Sequence, residues 1–206
     1  MAARFFDLDA LGLALLEESK SRAATLRQQG TIPCLALVEV GDDPQSATYV
    51  SRKIEDCEKV GIAVRKIVLP ESITQADLLE QILRLDEDSA STGILVQLPL
   101  PAHFEEGQVL QAISAEKDVD GLHPVNLMSL TTSDPSVIPC TVRGIDAVLQ
   151  QTGLVLEGAD IAVLGRGRLV GGLAARLMSG ESRNATGQIL HRKSRNPTTV
   201  LKKFAV

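Results

Sequence analysis

Aromatic residues are scarce in this chain: four Phe, one Tyr and no Trp make up 2% of 206 residues. That excludes a platform of successive rings for stacking single-stranded nucleic acid. Excess positive charge is also missing. Lys and Arg number 21 against 26 Asp and Glu, a net charge of −5, which argues against a binder of phosphate backbones. Cysteine is rare: Cys34, Cys57 and Cys140 lie far apart with no C-x-x-C pair, so neither a disulfide framework nor a zinc knuckle is expected. Buried, reduced thiols in a cytosolic protein are the expectation. His103, His123 and His191 lack metal-ligand spacing, and no metal is predicted. No apolar run reaches the ~18 residues that a membrane span needs. The early segment LDALGLALLEESK is broken by acids and reads as an amphipathic helix, not as an export signal. A soluble cytoplasmic protein with a small-molecule ligand is expected, bound to neither membrane nor nucleic acid.

What is present is an alternation of strand and helix patterns. A helix is predicted over roughly 8–28, stopped by Gly30. PCLALVEV (33–40) reads as a continuous apolar run ending at Gly41, the pattern of a buried parallel strand. Asp42, Asp43 and Pro44 supply capping acids and a first-turn proline for a helix through about Val60. A second strand at 62–70, a helix in TQADLLEQILRL, a third strand at 93–101 and a helix carrying Val109, Leu110 and Ile113 follow. From 117 through TTSDPS the chain reads as an irregular connection. Periodicity returns in TVRGIDAVLQQTG, then in a strand at 159–165, a helix at LAARLM, a strand at 187–191 and a last helical segment, TTVLKKFAV. This is an α/β fold built on parallel strands, with a boundary near 138.

Several residues could carry chemistry. Gly165, Arg166, Gly167 and Gly171 follow an apolar strand and open a helix, as a phosphate-cradling turn does. Their spacing is G-x-G-x-x-x-G, which a tight turn without a ligand also satisfies. Where an acid would bind a ribose 2′-hydroxyl, the next strand ends in His191, Arg192, Lys193, Ser194 and Arg195. That basic run suits a 2′-phosphate, and equally a solvated loop. Tyr49 and Lys53 stand four apart on one helix face, either holding a planar ligand or packing ring over stem. Gln97 stands at a strand end, where ligands bind, though it could simply satisfy a neighbouring backbone group. Asp118 and Asp120 flank Val119 before Gly121, as a site or as a turn device.

Together, VGDDPQSATYVSRK (40–53), GILVQLPLP (93–101), KDVDGLHPVN (117–126), PCTVRG (139–144) and VLGRGRLVG (163–171) closely resemble the methylenetetrahydrofolate dehydrogenase/cyclohydrolase family. Order and intervals agree from about Leu8 to His191. The resemblance implies two α/β domains with parallel sheets. Residues 1–138 would form a folate-binding catalytic domain and 139–206 a partial, Rossmann-like NADP-binding domain. It implies a bifunctional enzyme of one-carbon metabolism acting on tetrahydrofolate derivatives, and a homodimer. The dehydrogenase step would move hydride from 5,10-methylenetetrahydrofolate to NADP; the cyclohydrolase step would add water to the 5,10-methenyl cation, giving 10-formyltetrahydrofolate. By the same resemblance Tyr49 stacks on the folate, Lys53 transfers protons, Gln97 tunes Lys53, and Asp120 binds the pterin. Gly165, Arg166, Gly167, Thr141, His191 and Arg192 would line the dinucleotide site. The residue types suit this chemistry. A neutral amine can activate water, Gln can orient it without adding charge, and a carboxylate can accept two hydrogen bonds from an amino-pyrimidinone edge.

Four positions depart from the family pattern: Gly167 for a usual Ser, Leu173 and Val142 for prolines, and Met128 for a Gly. None removes a proposed catalytic group, and cofactor affinity is the property they bear on. Family members also continue beyond this length, with further nucleotide-domain strands and a Pro-Gly-Gly-Val-Gly-Pro segment. The chain is therefore expected to lack a C-terminal part, as a fragment or as a shortened relative. The alternative to an enzyme is then a folate-binding or interaction protein without turnover.

Overall fold

The computed structural model describes residues 8–41 and 43–204. Helix α1 (Leu8–Gln28) leads through Gly30, at φ +85°, into strand β1 (Cys34–Val40), which Gly41 ends at φ +80°. Both glycines occupy the left-handed region that side chains with a Cβ avoid. Helix α2 (Pro44–Val60) starts as its local sequence predicts. The Asp43 carboxylate accepts from the Ser46 backbone N–H at 3.1 Å and from its hydroxyl at 2.7 Å, satisfying a first-turn donor. Asp42, the other expected capping acid, lies outside the described residues. Strand β2 (Ala63–Leu69), α3 (Gln75–Glu87), β3 (Gly93–Val96) and α4 (Glu106–Gln111) complete the first unit, which closes at Val119.

Its sheet is parallel, in the order β2-β1-β3. Successive side chains of β1 point to opposite faces. Leu35 and Leu37 join Leu95 and Val50 against α2, while Ala36, Val38 and Val40 join Ile94, Val96, Leu78 and Ile82 against α3. Both faces are covered, which is why β1 is buried almost throughout. Arg27, in the last turn of α1, donates from Nε (3.1 Å) and Nη2 (2.6 Å) to the Gly61 carbonyl, tying α1 to the end of α2.

The second unit begins at Asp120. It holds α5 (Pro124–Ser129), α6 (Cys140–Gln151), β4 (Asp160–Leu164), α7 (Gly171–Ser179), β5 (Thr186–Leu190) and α8 (Pro197–Leu201). Strands β4 and β5 pair in parallel around α7, the βαβ connection expected here. Its core joins Leu130, Val142, Leu173, Leu177 and Met178, with Leu122, Leu127 and Ile138 packed against them. Residues 120–138 thus pack with the second unit, whereas the sequence boundary falls at 138.

The structure differs from the sequence reading in several places. Strand β3 stops at Val96 and does not run to 101, because Pro99 and Pro101 have no N–H to give to the ladder. Helix α5 falls within the stretch read as irregular; it is six residues long, with Pro124 in its first turn and His123 as its N-cap. Ile113 is buried beyond the end of α4, and α8 ends at Leu201. The run PCLALVEV is not wholly apolar, since Glu39 is buried within it. The thiols are not fully buried: Cys34 and Cys57 are half-buried and Cys140 is exposed. Burial, with the carboxylates of Asp56 and Glu58 adding to it, pushes the Cys57 thiol above its ordinary pKa and leaves it a poor nucleophile. Among the described residues no helix is long and apolar enough to cross a membrane.

One buried ion pair closes the second unit. Arg183 donates from Nε to Asp146 Oδ1 (2.6 Å) and from Nη2 to Oδ2 (2.5 Å), and Gln150 Nε2 adds a bond of 2.9 Å. Asp146 is 4% exposed. Removing one partner strands a buried charge. Arg183→Met is expected to lower unfolding stability by about 3 kcal/mol, read from urea denaturation against the unmutated chain.

Candidate active site

In a parallel sheet the order β2-β1-β3 reverses direction at β1, and the crevice beyond the carboxyl ends of β1 and β3 is where such folds bind ligands. A cleft of about 250 Å³ opens there, lined by Val40 at the end of β1, Gly41 and Asp43 after it, Glu71 after β2, and Pro99 to Pro101 after β3. Gln97 is the first residue past β3, and its N–H donates to the Val38 carbonyl at 2.8 Å. By alternation its side chain shares the α2 face with Leu95. There Lys53 Nζ, from α2, donates to Gln97 Oε1 at 3.0 Å, joining residues 44 apart in sequence. Gln97 Nε2 donates to the Leu98 carbonyl at 2.6 Å, which fixes which end of the amide meets the amine. Gln97 therefore satisfies a backbone group and orients Lys53 at once. The acceptor is neutral, so it holds the amine in place without an ion pair. Tyr49 stands one helical turn before Lys53 with its side chain accessible, at 63% exposure, and offers a flat surface near the amine.

The two aspartates of KDVDG have different settings. Asp118 is buried and extends the first sheet through a parallel bridge to Ile94. Asp120 is half-buried at the start of the second unit, and its Oδ1 accepts from the Cys140 thiol at 3.7 Å. Gly121, at φ +68°, backs onto the chain at Pro139, where an added Cβ would stand 3.0 Å from the backbone N. That close approach sets the turn that presents Asp120.

The glycine turn after β4 is also explained. Gly165, at φ +110°, donates its N–H to the Leu190 carbonyl at 2.7 Å. A Cβ on Gly171 would lie 2.5 Å from the Gly165 carbonyl oxygen, so α7 packs directly on the turn. A Cβ on Gly167 would meet nothing within 4 Å, which leaves its backbone approachable. Turn, approach and helix packing are the three roles of a dinucleotide fingerprint, filled here at a longer spacing. A cleft of about 790 Å³ runs from Gly165, Arg166 and Gly167 to His191, Arg192 and Lys193, with α8 along it at Pro197 and Leu201. His191 Nδ1 accepts from the Lys193 N–H at 3.1 Å, which puts the ring proton on Nε2. Thr141 is exposed on the first turn of α6 and is not part of this lining. Arg166, Arg192 and Lys193, apolar walls at Leu164 and Leu190, and no acid in the lining suit a phosphorylated dinucleotide.

The catalytic-domain model of the tetrahydrofolate dehydrogenase/cyclohydrolase family matches residues 7–120, and the model of its NAD(P)-binding domain matches 139–206. The chain belongs to this family. Among its relatives, bifunctional protein FolD of Bacillus mycoides (strain KBAB4) is 44% identical over 177 residues, or 86% of this chain and 61% of the relative. The chain thus spans about three fifths of that relative's length. The crystal structure of FolD methylenetetrahydrofolate dehydrogenase/cyclohydrolase from Campylobacter jejuni superposes with a TM-score of 0.89 at 38% identity, covering 94% of this chain and 68% of that one. The Trypanosoma brucei methylenetetrahydrofolate dehydrogenase-cyclohydrolase, complexed with NADP and an inhibitor, gives 0.88 at 32% identity, covering 99% and 69%. The family resemblance carried by the five motifs is therefore correct, as is the expectation of two α/β domains with parallel sheets.

Sequence reasoning left α8 and Glu39 out of these sites. Lys193, read from the sequence as part of the basic run, lines the cleft, and α8 lines it too because Asn196 turns the chain back at φ +51°. Glu39 was hidden in an apolar run; an acid flanked by Val38 and Val40 is itself the signal that could have found it. Gly171→Ala is expected to cost about 1–3 kcal/mol of stability through overpacking against the Gly165 carbonyl. Gly167→Ala, with open space at its Cβ, should unfold within about 0.5 kcal/mol of the unmutated chain. Paired denaturation curves decide both.

Proposed function

We propose that this chain carries the catalytic groups of a bifunctional enzyme that oxidises 5,10-methylenetetrahydrofolate with NADP and hydrolyses the resulting 5,10-methenyl cation to 10-formyltetrahydrofolate. The observation that carries this is the Lys53–Gln97 hydrogen bond at the switch point of the first sheet. The Tyr49 ring would lie against the flat pterin and hold its one-carbon bridge near Lys53. Asp120 would accept two hydrogen bonds from the amino-pyrimidinone edge. In the hydrolytic step the Lys53 amine takes a proton from water as the water oxygen bonds to the methenyl carbon; the carbon–N5 bond of the adduct then breaks as its hydroxyl proton passes to N5, which leaves the formyl group on N10. Gln97 keeps the amine aimed at that water. NADP, when bound, supplies the hydride acceptor, and Gly165, Arg166, Gly167, His191 and Arg192 would hold it.

Arg166 and Arg192 on an acid-free lining favour NADP over NAD, since a 2′-phosphate finds cations where a ribose diol would want a carboxylate. Thr141 belongs to the proposal by family likeness alone. We assign residues 1–138 to the folate side and 139–206 to the dinucleotide side, as a functional division that cuts across the packing units. A cytoplasmic homodimer is part of the same proposal.

The test follows methenyltetrahydrofolate formation with NADP and with NAD, then its hydrolysis, using the purified chain. Lys53→Met is expected to lower hydrolysis at least about 100-fold with folding intact. Hydrolysis at the unmutated rate would remove Lys53 from the mechanism, and folate binding without either reaction would make this a binding protein. Arg192→Ala should reduce the preference for NADP over NAD about tenfold, the loss of about 1.4 kcal/mol from a charge-assisted contact. An unchanged ratio would take Arg192 out of the cofactor site.

A further inference from the structure

The α2 face of the first sheet can be laid out in rows from its register. Leu35, Val64 and Gly93 form one row and Leu37, Lys66 and Leu95 the next. One step further, Glu39 stands between Val68 and Gln97, whose N–H continues the ladder onto Val38. Val50 and Ile54 cover the leucines, so Glu39 and Gln97 form a polar step at the end of an apolar face. Adjacent strands lie about 4.8 Å apart, which makes Glu39 the cross-strand neighbour of the residue whose amide holds Lys53.

The Glu39 side chain is 8% exposed, and a carboxylate so placed needs a counter-charge. Its partner is Lys66, one row back on edge strand β2, with Nζ at 2.8 Å from Oε2. Lys53 places a second lysine Nζ at the same step, bound to a neutral acceptor at 3.0 Å. One buried carboxylate and two lysines therefore meet here. The lysine stem is flexible enough for a short swing to bring Lys53 from Gln97 to Glu39. Of the other charges on this part of α2, Asp56 is held by Lys59 at 2.8 Å.

We infer that Lys66 is a positioning residue: by neutralising Glu39 it prevents that carboxylate from drawing Lys53 off Gln97. The consequence for turnover rests on the proposed folate chemistry at Lys53; the consequence for the position of Lys53 does not. Lys66 touches no reacting atom in this scheme and acts only through Glu39.

Four variants test it: Lys66→Met, Lys66→Arg, Glu39→Gln and the double variant Glu39→Gln/Lys66→Met. The first readout is the rate at which acetic anhydride labels Lys53, followed by peptide mass spectrometry. Lys66→Met should slow labelling at least threefold, because Lys53 is then ion-paired. Glu39→Gln, Lys66→Arg and the double variant should label within twofold of the unmutated chain. The second readout is methenyl hydrolysis: Lys66→Met should lose about tenfold in kcat with KM within twofold, and the double variant should recover. Lys66→Gln replaces Lys66→Met if the latter unfolds. Unchanged Lys53 labelling in Lys66→Met, or a double variant as impaired as Lys66→Met, overturns the inference. If the unmutated chain hydrolyses nothing, the proposed function fails while the labelling result still decides the inference.

Discussion

A parallel sheet covered by helices on both faces leaves chemistry only the ends of its strands, and the first unit depends on that constraint. Helices α2 and α3 bury opposite faces of β1, so no polar group is tolerated along most of its length. At the carboxyl end the apolar cover gives way. There the chain places its cleft, its glutamine, and the one lysine that reaches back from α2. Along β1, buried charge is confined to a single step, at Glu39. The strand, the helix and the Leu98 carbonyl each constrain one partner of the Lys53–Gln97 bond.

The second unit meets the same constraint with backbone in place of side chains. Strand β4 ends in a glycine turn, and α7 begins on top of it. An anion there meets approachable peptide groups at Gly167 and cations on Arg166, Arg192 and Lys193. The longer glycine spacing is no defect, because what must be small is decided by where α7 crosses the turn. Gly171 is the crossing point. Substitution of the usual serine at 167 leaves this packing untouched.

Most of the fold was legible because its elements are long and marked at their ends: Gly30, Gly41 and Gly61 stop elements where the periodicity stops. Helix α5 was not, since six residues with one buried side chain carry no period to read. The extent of β3 was overestimated because an apolar sequence continues after the prolines have ended the hydrogen-bond ladder. For the site, helical spacing placed Tyr49 and Lys53 together, but no local pattern joins Lys53 to Gln97. That link is tertiary, and only the family resemblance anticipated it. Nor does any local rule separate Asp118 from Asp120; the parallel bridge to Ile94 does so.

Glu39 shows why a buried acid inside an apolar strand is more than a packing anomaly. A carboxylate in that position costs stability unless it is paired, and an apolar side chain would avoid the cost. Its pairing to a lysine on the edge strand leaves the polar step electrically balanced before Lys53 contributes anything. A hydrophobic replacement would balance the step equally well, but it would remove the carboxylate from the row that Gln97 continues. The pair is therefore best understood as local charge control at this step: the Glu39–Lys66 pairing leaves Lys53 facing a neutral amide and not an unpaired anion.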